Sequence, residues 1–153
     1  MKTQIINKSI EINAPKEKVW DVLIMNKYTS QWYSAFGGDG LPADTDWKVG
    51  SKAVFKDNSG NGMVSKIVKN KPGEILSLEY AGIVENGQEI YDTAHAKDWM
   101  GGHETYRLSE KDGVTRLDIE QDMASEYYDD MSKAWDTAMQ KIKQLAEGKA
   151  PMA

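Results

Sequence analysis

From about Trp47 to Met123 the chain is a succession of short alternating segments, each closed within a few residues by a turn, and this restricts the fold more than any other feature. "SKAVFKD" runs into "NSGNG", "MVSKIVKN" into "KPG", "EILSLEYAGIV" into "ENGQ", and "HETYRLSE" into "KDG" before "VTRLDIEQDM". Gly, Pro, Asn and Asp supply the backbone angles that tight turns demand, and Asn86-Gly87 is a strong hairpin dipeptide. Parallel strands need crossovers of a dozen residues or more, so these segments predict an antiparallel sheet. Successive residues of a strand point to opposite faces. Leu76, Leu78 and Tyr80 therefore share one face, Tyr106 aligns with Leu108, and Leu117, Ile119 and Met123 alternate with Asp118, Glu120 and Asp122.

The flanks are mostly helical. "QIINKSIEIN" (4–13) places Ile6, Ser9 or Ile10, and Ile12 in rough alternation, a first strand. "NAPKEKVWDVLIM" follows as a helix: Pro15 suits the first helical position, Glu17 the first turn, and Val19, Trp20 and Leu23 share a face. "NKYTSQWYSAF" reads as a second short helix, ended by a loop with Gly37, Gly38, Gly40 and Pro42. "DTAHAKDWMGG" reads as a short helix or a mobile loop, and Asp92–Gly102, Gly-ended and carrying Trp99 and Met100, is a candidate gate. The last segment is the longest helix, with Ser125 as its N-cap and an apolar stripe of Met131, Trp135, Ala138, Ile142 and Leu145. Acidic residues near its start and Lys141 and Lys143 near its end complement the helix dipole.

The length of 153 residues fits one domain, here 1–148 with a short tail over 149–153. A net charge of −5 lacks the electrostatic footprint of nucleic-acid binders and ill suits an anionic membrane surface. No apolar run is long enough to span a membrane or act as a signal peptide, so a cytoplasmic location is expected. With no Cys there is no disulfide, thiol nucleophile or thiolate metal site. "FGGDG" matches neither a Walker A loop nor a dinucleotide fingerprint, and no Ser-centred elbow occurs.

Strand, two helices, about six strands and a long helix is the order found in the START-like, helix-grip fold, also called SRPBCC or birch-pollen-allergen-like. "INAPKEKVWDVL" resembles that superfamily's opening, "YTSQWY" its second helix, and "WKVGSKAVF" its strand entry after a Val-Gly pair. "GGHETYRLSEKDGVTRLDIE" followed by a Trp-bearing helix resembles the domain named after the activator of the heat-shock-protein-90 ATPase. The match covers about residues 4–147. It implies an α+β fold: a curved antiparallel sheet of six to seven strands wrapped around a long C-terminal helix, with two short helices after the first strand. It also implies a cavity between sheet and helix that takes a small apolar or amphipathic molecule. The chain is expected to be a standalone copy of the domain. A chaperone partner follows by analogy with the activator alone.

The expected lining comes from several elements. From the last helix it includes Met131, Trp135, Ala138 and Met139; from the sheet Phe55, Leu78, Tyr80, Tyr106 and Ile119; near the mouth Trp32 and Phe36; and from the irregular segment Trp99. A stripe mixing large and small residues either interdigitates without a void or leaves room beside Ala134 and Ala138. A buried phenol needs a hydrogen-bond partner, in a ligand or within the protein. His103 joins the candidates, although Glu104 beside it should point to the opposite face, so the two form an acid–base pair only if a bulge reorients them. Asp118, Glu120 and Asp122 read as the solvated face of a half-buried strand. No catalytic residue, metal ligand or cofactor site is assigned. An enzyme of the cyclase, dehydratase or hydrolase type would have to use His103, Tyr80 and Tyr106 in the same cavity.

Overall fold

A computed structural model describes residues 3–36 and 43–148. The glycine loop expected near 37–42 and the tail from 149 lie outside the described residues. The order is β1 (Thr3–Ile12), α1 (Lys16–Ile24), α2 (Asn26–Trp32) with a 3-10 turn (Tyr33–Phe36), then β2 (Lys52–Lys56), β3 (Gly62–Lys71), β4 (Ile75–Glu85) and β5 (Gln88–Ile90). There follow α3 (Ala94–Trp99), β6 (His103–Lys111), β7 (Val114–Ala124), a 3-10 turn (Ser125–Tyr127) and α4 (Tyr128–Ala146).

All pairings are antiparallel, and the sheet runs β1-β7-β6-β4-β3-β2. Beyond Tyr80 the edge of β4 that β6 leaves open is taken by β5, Ile83 opposite Ile90. The turns form where their residues require them. Asn86 and Gly87 have φ of 51° and 79°, and Asp112 and Gly113 have 54° and 80°, the left-handed pair that a two-residue hairpin needs. Two register shifts interrupt the ladder between β3 and β4. Ser65 faces Tyr80 while Val64 faces Gly82, and Ile67 faces Leu78 while Lys69 faces Ser77, so Ala81 and Val68 are bulged. Bulges bend strands and increase twist, which curves the centre of the sheet.

One face of the sheet carries the main core. Ile6, Ile12, Ile67, Leu76, Leu117 and Ile119 point into it and meet Val19, Leu23, Trp32, Trp135 and Ile142 from the helices. The Trp32 indole N–H donates to the Val22 carbonyl at 2.8 Å, tying α2 to α1. On the other face Val54, Val64 and Val84 form a small separate cluster.

Two local readings are corrected. Pro15 precedes α1 as its cap residue instead of occupying its first position. Ser125 opens a 3-10 turn and does not cap α4, which starts at Tyr128 and has no side-chain cap. The segment around Trp99 is a helix, capped by Thr93, whose Oγ1 accepts the Ala96 N–H at 3.1 Å. Among the described residues no helix is long and apolar enough to cross a membrane.

Candidate functional site

Where the curved sheet parts from α2 and the first turns of α4, a recess of about 310 Å³ remains. The periodicities that build the fold also line it. Met131 and Trp135 are four residues apart on α4 and so lie on one helical face. Phe55 of β2 and Met63 of β3 sit directly opposite each other across the hairpin and bring their side chains to the recess together. Leu76, Leu78 and Tyr80 follow at the two-residue spacing of β4.

Aromatic rings make much of the wall. Trp135 is their hub, with ring centroids 4.8 Å from Phe36, 5.9 Å from Tyr106 and 6.2 Å from Trp32. Tyr33 lies edge-on to Phe55 at 6.2 Å, and Trp47 is 6.4 Å from Phe55. Trp47 is held at φ 63°, a rare conformation for a bulky side chain. Its N–H reaches Thr45 Oγ1 at 3.1 Å and its carbonyl accepts from Asn70 Nδ2 at 2.7 Å.

The inner end is polar and connected. The Trp135 indole N–H donates to Gln121 Oε1 at 2.8 Å. Because an indole N–H only donates, this bond sets the amide with Nε2 turned the other way. That Nε2 donates to Glu104 Oε1 at 2.9 Å and to the Tyr80 hydroxyl at 2.5 Å. The Tyr80 hydroxyl in turn donates to Glu104 Oε1 at 2.8 Å, and the Tyr106 hydroxyl donates to Glu104 Oε2. Glu104 is half-buried and lines the recess, and the surrounding protein withdraws its carboxyl from water. Burial raises its pKa above the ordinary carboxylate range and outweighs the two phenol hydrogen bonds, which act the other way. Burial, then the charge of Glu104, pushes the phenols of Tyr80, Tyr106 and Tyr33 up, so they remain protonated donors at ordinary pH. The arrangement can hold a polar group at its inner end and an apolar body against its walls.

Of the residues expected to line a cavity, Trp32, Phe36, Phe55, Leu78, Tyr80, Tyr106, Met131 and Trp135 meet at this recess. The others do not. Ala138, Met139 and Ile119 are buried in the core without a face on the recess; Ala138 and Met139 lie further along α4 than it reaches. Trp99 stacks on Tyr127 at 6.1 Å and meets the edge of Tyr80 at 5.9 Å, in a separate depression beside β4. His103 is on the outer face of β6 because strand parity sends Glu104 inward, and its backbone N–H donates to Asp122 Oδ2 at 2.9 Å. Among the described residues no cluster of His, Asp and Glu is placed to hold a metal ion.

Sequence reasoning missed Tyr33, Trp47, Met63, Glu104 and Gln121. For two of these a signal was present. Glu104 shares its parity with Tyr106 and Leu108, and Gln121 falls in the row of Leu117, Ile119 and Met123. A polar residue inside an apolar row is the informative exception to burial patterning.

Comparison with known proteins agrees with this architecture. No curated protein matches the chain. The solution structure of the Aha1 dimer from Colwellia psychrerythraea is similar, with a TM-score of 0.69 and 20% identity over 94% of this chain and 96% of that one. So is protein MLL2253 from Mesorhizobium loti, with a TM-score of 0.72 and 17% identity over 97% and 99% of the two chains. CalU16 from Micromonospora echinospora matches at 0.64 and 17% identity, over 97% of this chain and 76% of that one. At such identities these likenesses establish the helix-grip fold. The family described as Activator of Hsp90 ATPase homolog 1-like protein matches residues 13–147, from the end of β1 to the end of α4, and the chain belongs to that family.

Proposed function

We propose that this chain is a binding domain for a small apolar or amphipathic molecule, taken up in the recess between the sheet and α4. The observation that carries the reading is the division of the recess into an aromatic and aliphatic wall and one connected polar end. Ligand sites are mostly apolar concavities with a few placed polar groups, typically of about 300–1,000 Å³. This recess lies at the small end of that range. Family membership does not by itself supply a chaperone partner, since one fold serves many functions.

Native mass spectrometry of freshly purified protein tests the reading, with a co-purified small molecule expected. Met131→Trp gives the matching control: it adds a large side chain to a residue on the lining and should abolish that adduct while the protein stays folded. An adduct that survives with Met131→Trp would place the molecule elsewhere.

One observation also favours an enzyme of the cyclase or hydrolase type: Tyr80 and Tyr106 converge on a carboxyl that can give or take a proton. Turnover that depends on Glu104 is what that second reading requires.

A further inference from the structure

Resting on the binding reading above, we propose that the recess selects a small amphipathic cation, a molecule with an apolar body and an ammonium end that pairs with Glu104. The geometry of the carboxylate carries the argument. Glu104 receives three hydrogen bonds, from Tyr80, Tyr106 and Gln121, all neutral donors. A carboxylate offers about four lone-pair sites, so one remains, on the Oε2 side, where only Tyr106 donates. Three donors on two oxygens suit the ionised, acceptor-only form. Neutral donors stabilise that charge without cancelling it. Among the described residues no Lys or Arg makes an ion pair with Glu104, and a buried carboxylate without a countercharge is costly. Lys56 lines the same recess but is exposed at the end of β2, beside Asp57.

The walls fit the apolar body of such a molecule. Trp135, Trp32, Phe36 and Tyr106 pack as one ring cluster that shares the lining with Glu104. An anion would meet the carboxylate unfavourably, and a neutral ligand would leave the charge uncompensated.

Three probes of one shape separate the outcomes: phenethylamine, phenethyl alcohol and phenylacetate, titrated into the full chain at neutral pH and followed by protein NMR. Phenethylamine should bind about tenfold or more tightly than phenethyl alcohol, the scale of a charge-assisted bond, with phenylacetate weakest. Glu104→Gln should abolish the preference and bring the amine to the affinity of the alcohol. A second measurement needs no substitution. In the wild-type protein the preference of amine over alcohol should fade as pH falls through the raised pKa of Glu104. The groups packed on the carboxyl, the phenols of Tyr80, Tyr106 and Tyr33 and the amide of Gln121, do not ionise in that range; Lys56 and Asp57 also line the recess, so the same titration of Glu104→Gln assigns the pH dependence to Glu104. Equal affinity for amine and alcohol in the wild type, or a preference that is constant with pH, overturns the cation assignment and leaves the binding reading standing. If none of the three perturbs the resonances of the recess, both fall.

Discussion

Glu104 and Gln121 are polar side chains at positions that strand parity reserves for the core, and each has consequences that a mutation can measure. Gln121 is the joint of the network: it accepts from Trp135 and donates to Glu104 and Tyr80. Gln121→Leu keeps the approximate volume but leaves the buried indole N–H of Trp135 without its acceptor. An unsatisfied buried group costs about 1–3 kcal/mol, so the urea midpoint should fall by that amount divided by the m-value. An unchanged midpoint would mean that the amide is not structural. The raised pKa of Glu104 gives a second expectation, and its sign follows from proton counting. Above the ordinary carboxylate pKa the unfolded chain has lost the proton that folded Glu104 still holds, so the native state binds more protons and stability falls as pH rises up to the raised native value. Glu104→Gln should remove that part of the slope. Parallel stability–pH curves for wild type and variant across that window would show that the carboxyl is not perturbed.

At the scale of elements, what was legible is what is local. The Asn86-Gly87 and Asp112-Gly113 turns follow from the backbone angles of four residues, and α1 and α4 follow from apolar periodicity. The bulges at Ala81 and Val68 were not legible, because they exist only in the pairing of β3 with β4. The start of α4 was misread because Ser125 has the chemistry of a cap, but the chain passes from β7 through a 3-10 turn before the helix forms. Gly62 is a further case in which tertiary closeness decides. It opens β3 opposite Lys56, and a Cβ there would lie 1.7 Å from the Phe55 carbonyl oxygen and 2.9 Å from the Lys56 Cα. Both are backbone atoms, so no side chain can swing aside. Gly62→Ala must spread the β2–β3 hairpin, and a loss of about 1–3 kcal/mol or more is expected by denaturant unfolding. Full stability in that variant would contradict the close approach of the two strands.

At the scale of the whole molecule, the central matter is where the sheet and α4 meet and where they part. The helical stripe from Met131 to Leu145 was legible as a face, but not where along it the packing closes, because closure depends on the curvature of a sheet whose bulges are themselves non-local. The sequence left two arrangements open, a filled stripe or room beside Ala134 and Ala138. The structure places the space earlier along the helix, beside Met131 and Trp135, and leaves Ala138 0% exposed. One substitution at two positions distinguishes these arrangements. Ala138→Trp forces a large ring into a filled part of the core, where overpacking typically costs about 1–3 kcal/mol and can exceed that. Met131→Trp extends a half-buried side chain into space that is already open and should change stability by well under about 1 kcal/mol. Both are read by the same urea titration, with near-ultraviolet circular dichroism to show that tertiary packing persists. If the two variants unfold at the same midpoint, the recess does not lie where α4 begins, and the wall assigned to Met131 and Trp135 is wrong. If only Ala138→Trp unfolds early, the sheet closes on the later turns of the helix and stays open at its start, which is the arrangement that gives Glu104 access to a ligand.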